Sequence, residues 1–256
     1  MMSWRHDRNW VPEIGAPFLP LHQVQRYQKI VATLPKRRLN STLATIGTAS
    51  YIDLPEHHQQ TAIENNLLLT TNLPGLHRHL LEHLNERYQK DLYPKEQPGD
   101  AVPRWVYPPK RYQIALPGIH LFAGNSLLGK GYPVASVHVD KQEERCPLPL
   151  AEYSFDFSRT YSFTIPLTTP KGTGLYIIDV KEDEVSKWVP LWWSLRGKTM
   201  QRIDYQLGQC YLHHGKYFHC IAPFWGKQND GRYLDRITIQ GHAVYCRSRN
   251  EYWVYW

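Results

Sequence analysis

The feature that most narrows the fold is a series of short stretches with strand character between residues 111 and 244. They fall at 111–116, 119–123, 134–140, 161–167, 174–179, 201–206, 209–213, 217–222 and 234–244. So many short strands at this density predict a barrel or a sandwich. Upstream the character changes. Residues 21–34 (LHQVQRYQKIVATL) predict a short helix ended by Pro35, and 55–70 predict a second. A third helix is expected over 76–92, where Leu76, Leu80, Leu84 and Tyr88 recur every four residues as an apolar stripe. Pro94, Pro98, Pro103, Pro108 and Pro109 mark a linker between the two regimes. The expected organisation is a helical region over 1–100 packed on the outside of a β core over 101–256. Insertions at 141–160 and 181–200 interrupt that core. Trp188, Trp192 and Trp193 in the second insertion read either as a lid over a pocket or as a hydrophobic plug under a long loop.

Residues that could carry chemistry sit on these strands. The stretch YPVASVHVD ends in His138-Val139-Asp140. Side chains alternate along a strand, so His138 and Asp140 are expected on one face, with Val137 and Val139 on the other. Downstream, Gly215-Lys216 reads as a hairpin turn that returns the chain to His219; His213 and His214 compete with His219 for the same role. Two imidazoles and one carboxylate on one face of a metal, with the other face open, form the donor set of non-haem Fe(II) oxygenases. Arg236 and Thr238, two apart in RITIQ, share a face that Gln240 and His242 continue. Arg232 is a competing cation, but Asp230-Gly231 beside it reads as a turn.

The ordered set His138-x-Asp140, then His219, then Arg236-x-Thr238 resembles the Fe(II)/2-oxoglutarate-dependent dioxygenases. The flanking text YSFTIPLTTPKGTGLYI and GQCYLHHGKYFHCIAP is similar to that family's barrel strands, and the likeness covers roughly residues 101–245. The resemblance implies a mainly β chain with N-terminal helices, its core a double-stranded β-helix of jelly-roll or cupin-like type. It implies His138, Asp140 and His219 as Fe(II) ligands. Arg236 and Thr238 would hold the cosubstrate 2-oxoglutarate, by bidentate pairing and a hydroxyl hydrogen bond. The implied activity is an oxidoreductase that uses O2 to hydroxylate, or otherwise oxidise a C–H bond of, a small molecule, amino-acid derivative or peptide. In related halogenases a small residue replaces the carboxylate ligand. Asp140 therefore implies oxidation and not halogenation.

Other readings compete. A net charge of +7 with a pI near 9.1 admits an anionic partner. Together with the aromatic-basic tail RSRNEYWVYW, that supports a nucleic-acid dealkylase as an alternative. No nucleotide-recognition signature accompanies it, and nucleic acid is not the expected partner. A non-catalytic, cupin-like metal-binding protein is the other alternative, although such a protein has no need of Arg236-x-Thr238. His79-Leu80-Leu81-Glu82-His83 matches HxxEH of inverted zinc proteases, but its two histidines lie on the flank of the apolar stripe without a third ligand. Lys36-Arg37-Arg38 reads as a solvated helix end. The four cysteines fit neither a disulfide framework nor a CxxC zinc site, and read as reduced thiols of a cytoplasmic protein. MMSWRHDRNW lacks the apolar core of a signal peptide, and no apolar run is long enough to span a membrane.

Overall fold

In a computed structural model of the protein, residues 15–49, 53, 55–87, 101–185 and 194–256 are described. The chain is mostly β with few helices. Strands β1 (Ala16–Pro17), β2 (Arg37–Arg38) and β3 (Leu43–Ile46) are interleaved with helix α1 (Leu21–Thr33) and followed by α2 (Pro55–Asn72) and α3 (Leu76–Arg87). The remaining strands are β4 (Arg104–Val106), β5 (Gly118–Phe122), β6 (Phe155–Pro166), β7 (Gly174–Lys181), β8 (Met200–Asp204), β9 (Gln209–His214), β10 (Tyr217–Ile221), β11 (Arg236–Cys246) and β12 (Glu251–Tyr255).

These strands form a nine-stranded sheet in the order β1-β9-β6-β11-β5-β3-β2, with β12 and β4 attached beside β11, and a three-stranded sheet β10-β7-β8. The centre of the large sheet is β11. Arg236 to Gln240 pair with β5, His242 to Cys246 pair with β12, and β6 lies along its other edge. No hydrogen-bonded ladder joins the two sheets among the described residues, so the expected barrel is not closed by hydrogen bonds. Side chains connect the sheets instead: Leu175 and Ile177 of β7 pack with Tyr205 and with Tyr211 of β9.

One face of the large sheet is apolar because its strands alternate. Tyr161, Phe163 and Ile165 of β6, Cys210 and Leu212 of β9, Ile119 and Leu121 of β5, and Ile239 and Ala243 of β11 share one buried cluster with the helices. The helices contribute Val24, Tyr27 and Val31 from α1, and the predicted stripe Leu76, Leu80 and Leu84 from α3. The intervening residues, among them His120, Ser162, Thr164, His213, Gln240 and His242, line a cavity on the opposite face.

Several expectations are corrected. Residues 134–140 do not form a strand, and their pairing is a single bridge at His138. Pro133 has no N–H to give to a ladder. Residues 110–112 form a short 3-10 turn behind Pro109, and Gln113 is left-handed at φ 53°, so no strand forms at 111–116. The first insertion is shorter than expected because β6 starts at Phe155. Trp188, Trp192 and Trp193 lie outside the described residues. Lys36 caps the end of α1 by donating to the Ala32 carbonyl at 2.9 Å, and Arg37 forms a two-point ion pair with Asp53. The C-terminal aromatics belong to the sheet: Tyr252, Trp253 and Tyr255 of β12, with Trp256 after it, are at most 1% exposed, so these rings pack inside the protein.

Candidate metal centre

His138 and His219 are bridged through their backbones. The His138 N–H donates to the His219 carbonyl at 3.0 Å, and the His219 N–H donates back at 2.8 Å. This exchange sets their rings 4.6 Å apart, centre to centre. Each ring is oriented in the same way. His138 Nδ1 lies 3.0 Å from the Ser136 carbonyl oxygen, and His219 Nδ1 lies 2.9 Å from that of Tyr217. A carbonyl can only accept, so each neutral ring carries its proton on Nδ1 and keeps the Nε2 lone pair for a ligand. Asp140 is fixed by its own backbone N–H, which donates to the Gly215 carbonyl (3.0 Å) in the turn that carries the chain from β9 in the large sheet to β10 in the small one; the expected hairpin does not form, since no ladder joins these two strands. One ligand atom from each of His138, Asp140 and His219 lies within 4.8 Å of the others. Asp140 and His219 are buried and His138 is exposed, so the cluster is open on one side. Among the described residues it is the only group of three metal-capable side chains; His79 and His83 belong to none.

The electrostatics suit a cation. Burial works against ionisation of Asp140, but the imidazoles of His219, His242 and His213 outweigh it and hold the carboxyl well below its ordinary range. Burial pushes His219 down, and the Asp140 carboxylate 3.5 Å from its Nε2 overrides that and pulls it up. A metal ion would take the place of that shared proton, since ligands bind deprotonated. The His138 imidazole is lowered by desolvation on the side that faces the cluster and then by the His219 charge, although the residue as a whole is exposed. His213, the competing ligand, lines the cavity 4.8 Å from the His219 ring, and burial takes it down to about 3. His214 faces Tyr161 and Tyr217 and does not line the cavity.

Arg236 lines the same cavity, which has a volume of about 690 Å³. Its guanidinium is fully buried, and no carboxylate pairs with it among the described residues; burial lowers it, and only Tyr205 works the other way. It lies 5.3 Å from the Phe122 ring centre and 5.4 Å from that of Tyr205, whose buried hydroxyl is its polar neighbour. A buried cation without a counterion is expensive, so the donor set calls for an anion that enters from the cavity. Thr238 is fully buried on the same strand, with its hydroxyl accepting from Gln240 Nε2 at 3.1 Å; Gln240 lines the cavity and Thr238 does not. Arg232, the competing cation, lies on the surface paired with Asp230 at 2.6 Å.

Some neighbours of the site were not singled out in the sequence. Ser162, Tyr205 and Gln142 line the cavity, and Ser162 and Gln142 both donate to the Asp140 carboxylate. Only the alternation along β6 hinted at Ser162, and nothing hinted at Tyr205. Cys146, Cys210 and Cys246 are buried and Cys220 is partly exposed. No helix among the described residues is long and apolar enough to cross a membrane.

No family model matches the sequence, and no curated protein matches it. Solved structures with a similar course of the chain include a non-haem α-ketoglutarate-dependent epimerase, SnoN, from nogalamycin biosynthesis. The likeness has a TM-score of 0.45 at 9% identity and covers 89% of this chain and 75% of that one. An N-substituted L-amino acid dioxygenase from Burkholderia ambifaria gives 0.42 at 10% identity, over 93% and 84% of the two chains. HygX from Streptomyces hygroscopicus, with nickel and 2-oxoglutarate bound, gives 0.42 at 9% identity, over 89% and 80%. These are remote likenesses, and no residue's role passes from them to this chain.

Proposed function

We propose that this chain is an Fe(II)- and 2-oxoglutarate-dependent oxygenase that oxidises a C–H bond of a small molecule, amino-acid derivative or peptide. The observation that carries the reading is a fully buried arginine with no carboxylate partner, in the same cavity as an open cluster of two imidazoles and a carboxylate. His138 and His219 would offer Nε2, and Asp140 a carboxylate oxygen, to a divalent iron. Arg236 would pair with the distal carboxylate of 2-oxoglutarate, with the Tyr205 hydroxyl of the cavity wall as a further donor; Thr238, on the same face of β11, would have to reach it from behind Gln240. When bound, the iron and 2-oxoglutarate supply the oxidising chemistry: O2 is consumed, succinate and CO2 leave, and one oxygen atom is delivered to the substrate. The chain holds the reactants, orients them and keeps water out through Leu128, Leu175 and Ile221 of the cavity wall. A non-catalytic metal-binding protein would gain nothing from an uncompensated guanidinium at that depth.

Binding of 2-oxoglutarate to the Fe(II)-loaded protein, measured anaerobically by calorimetry, tests the cosubstrate. Admission of O2 with candidate substrates should then release succinate and give a product that has gained one oxygen or lost two hydrogens. A chlorinated product in chloride buffer, or metal binding with no response to 2-oxoglutarate, would overturn the proposal; the second result would mark the protein as a binding module.

A further inference from the structure

The Asp140 carboxylate does not stand alone behind the metal cluster. Its Oδ2 accepts the Ser162 hydroxyl proton, and its Oδ1 accepts from Gln142 Nε2 at 3.2 Å. Ser162 Oγ in turn lies 2.9 Å from His242 Nδ1. A serine hydroxyl has one proton, and here Asp140 receives it. Ser162 can therefore only accept from His242, which fixes the proton of His242 on Nδ1 and leaves Nε2 as its acceptor. Three elements supply the chain of bonds: His242 from the middle of β11, Ser162 from β6, and Asp140 from the segment bridged to β10. His242 and Ser162 are cross-strand partners in the ladder, so the first link is set by sheet register and not by loop conformation. All three side chains are buried, and the Gly215 turn closes over them: a Cβ there would lie 3.4 Å from both Asp140 Cβ and Ser162 Oγ.

We propose that His242 and Ser162 are positioning residues for the metal centre: a one-way hydrogen-bond relay, His242 Nδ1–H to Ser162 Oγ–H to Asp140, fixes the carboxylate in the orientation that ligates the ion. The inference rests on the metal-binding reading above. Relays of this kind behind a ligand are worth about ten- to a hundredfold in metal affinity. His242 Nδ1 lies 3.9 Å from Asp140 Oδ2, beyond a direct hydrogen bond, so the orienting bond from His242 reaches the carboxylate only through Ser162 and is lost when Ser162 is gone.

The test is Co(II) affinity by calorimetry on the purified full chain, with thermal melts of each variant as a check on folding. Ser162→Ala should weaken Co(II) binding by about tenfold or more, and His242→Leu by a smaller factor. The double variant should match Ser162→Ala within about twofold, the mark of residues acting in series. His242→Asn should restore binding lost in His242→Leu, because the asparagine amide reaches the place of Nδ1 and donates, whereas His242→Gln, which mimics Nε2, should not. Wild-type affinity in Ser162→Ala, additive losses in the double variant, or no difference between the Asn and Leu variants would each overturn the relay. Asp140→Ala separates the two levels. If it binds Co(II) as the wild type does, the metal-centre reading fails and takes the relay with it. If it loses binding while Ser162→Ala does not, only the relay fails.

Discussion

A guanidinium with no exposure and no carboxylate beside it weakens the fold that contains it, because its lost hydration is not replaced by an opposite charge. Arg236 is kept at a disadvantage to the ligand-free protein, and that gives a prediction that separates a binding role from a structural one. Arg236→Met, similar in reach but uncharged, should raise the stability of the ligand-free protein by about 1–3 kcal/mol. Addition of 2-oxoglutarate with Co(II) should raise the Tm of the wild type beyond the effect of Co(II) alone, since a ligand that binds only the folded state stabilises it. The variant should show no such increment. Differential scanning calorimetry reads both effects; a variant less stable than the wild type, or one still responding to 2-oxoglutarate, would contradict the assignment. That His138, Asp140 and His219 come together and that Arg236 lines the same cavity could be anticipated from residue type and order. Tyr205 and the relay through Ser162 could not. Their parts depend on which residue of one strand stands beside which residue of another, and alternation along a single strand does not say that.

At the scale of elements, α1 and α3 begin at the residues the sequence marked, Leu21 and Leu76, and the α3 stripe is buried from Leu76 to Leu84, since a stripe repeating every three to four residues has one folded solution; Tyr88 lies outside the described residues. Strands read less well where backbone chemistry and hydropathy disagree. The apolar alternation of 134–140 is real, but the chain there makes one bridge, and it is that bridge to His219 that matters for the site. The opposite error falls at the C-terminal aromatics, where a pattern suited to ring stacking on a ligand is a buried strand in the sheet. The packing of that segment turns on a glycine. A Cβ at Gly118 would lie 1.7 Å from the Trp256 indole, which is itself fully buried against β5. Gly118→Ala should therefore destabilise the protein by about 1–3 kcal/mol through overpacking. A lowered urea midpoint with an unchanged slope would show it, and a midpoint equal to that of the wild type would refute it.

For the whole molecule, the consequence of building a site between two sheets is that many imidazoles are buried together. His120 on β5 and His213 on β9 are each held down to about 3, chiefly by burial, aided by the Arg236 charge at His120 and by His219 at His213. An unfolded histidine titrates near ~6.5. As pH falls below that value, the unfolded chain takes up protons that these two folded imidazoles refuse, so stability falls with pH, by about 1.4 kcal/mol per unit for each. His138 and His242 are lowered as well and act in the same direction. His219 opposes them: its raised value contributes stability that is complete below ~6.5 and is lost as pH rises through its folded value. Asp140, depressed, contributes above ~3.9 and is lost only in stronger acid. Burial lowers His58, His77, His83 and His214 as well, so eight imidazoles stand against His219 and the raised Glu143 carboxyl, and they decide the sign. The metal-free protein should have a lower urea midpoint at pH 5 than at pH 7.5. His120→Phe, which keeps a ring against the edge of Trp256, should flatten that difference by about one imidazole's share. A midpoint at pH 5 equal to or above that at pH 7.5 would mean that the cavity admits protons to its histidines, and that it is wetter than its walls imply.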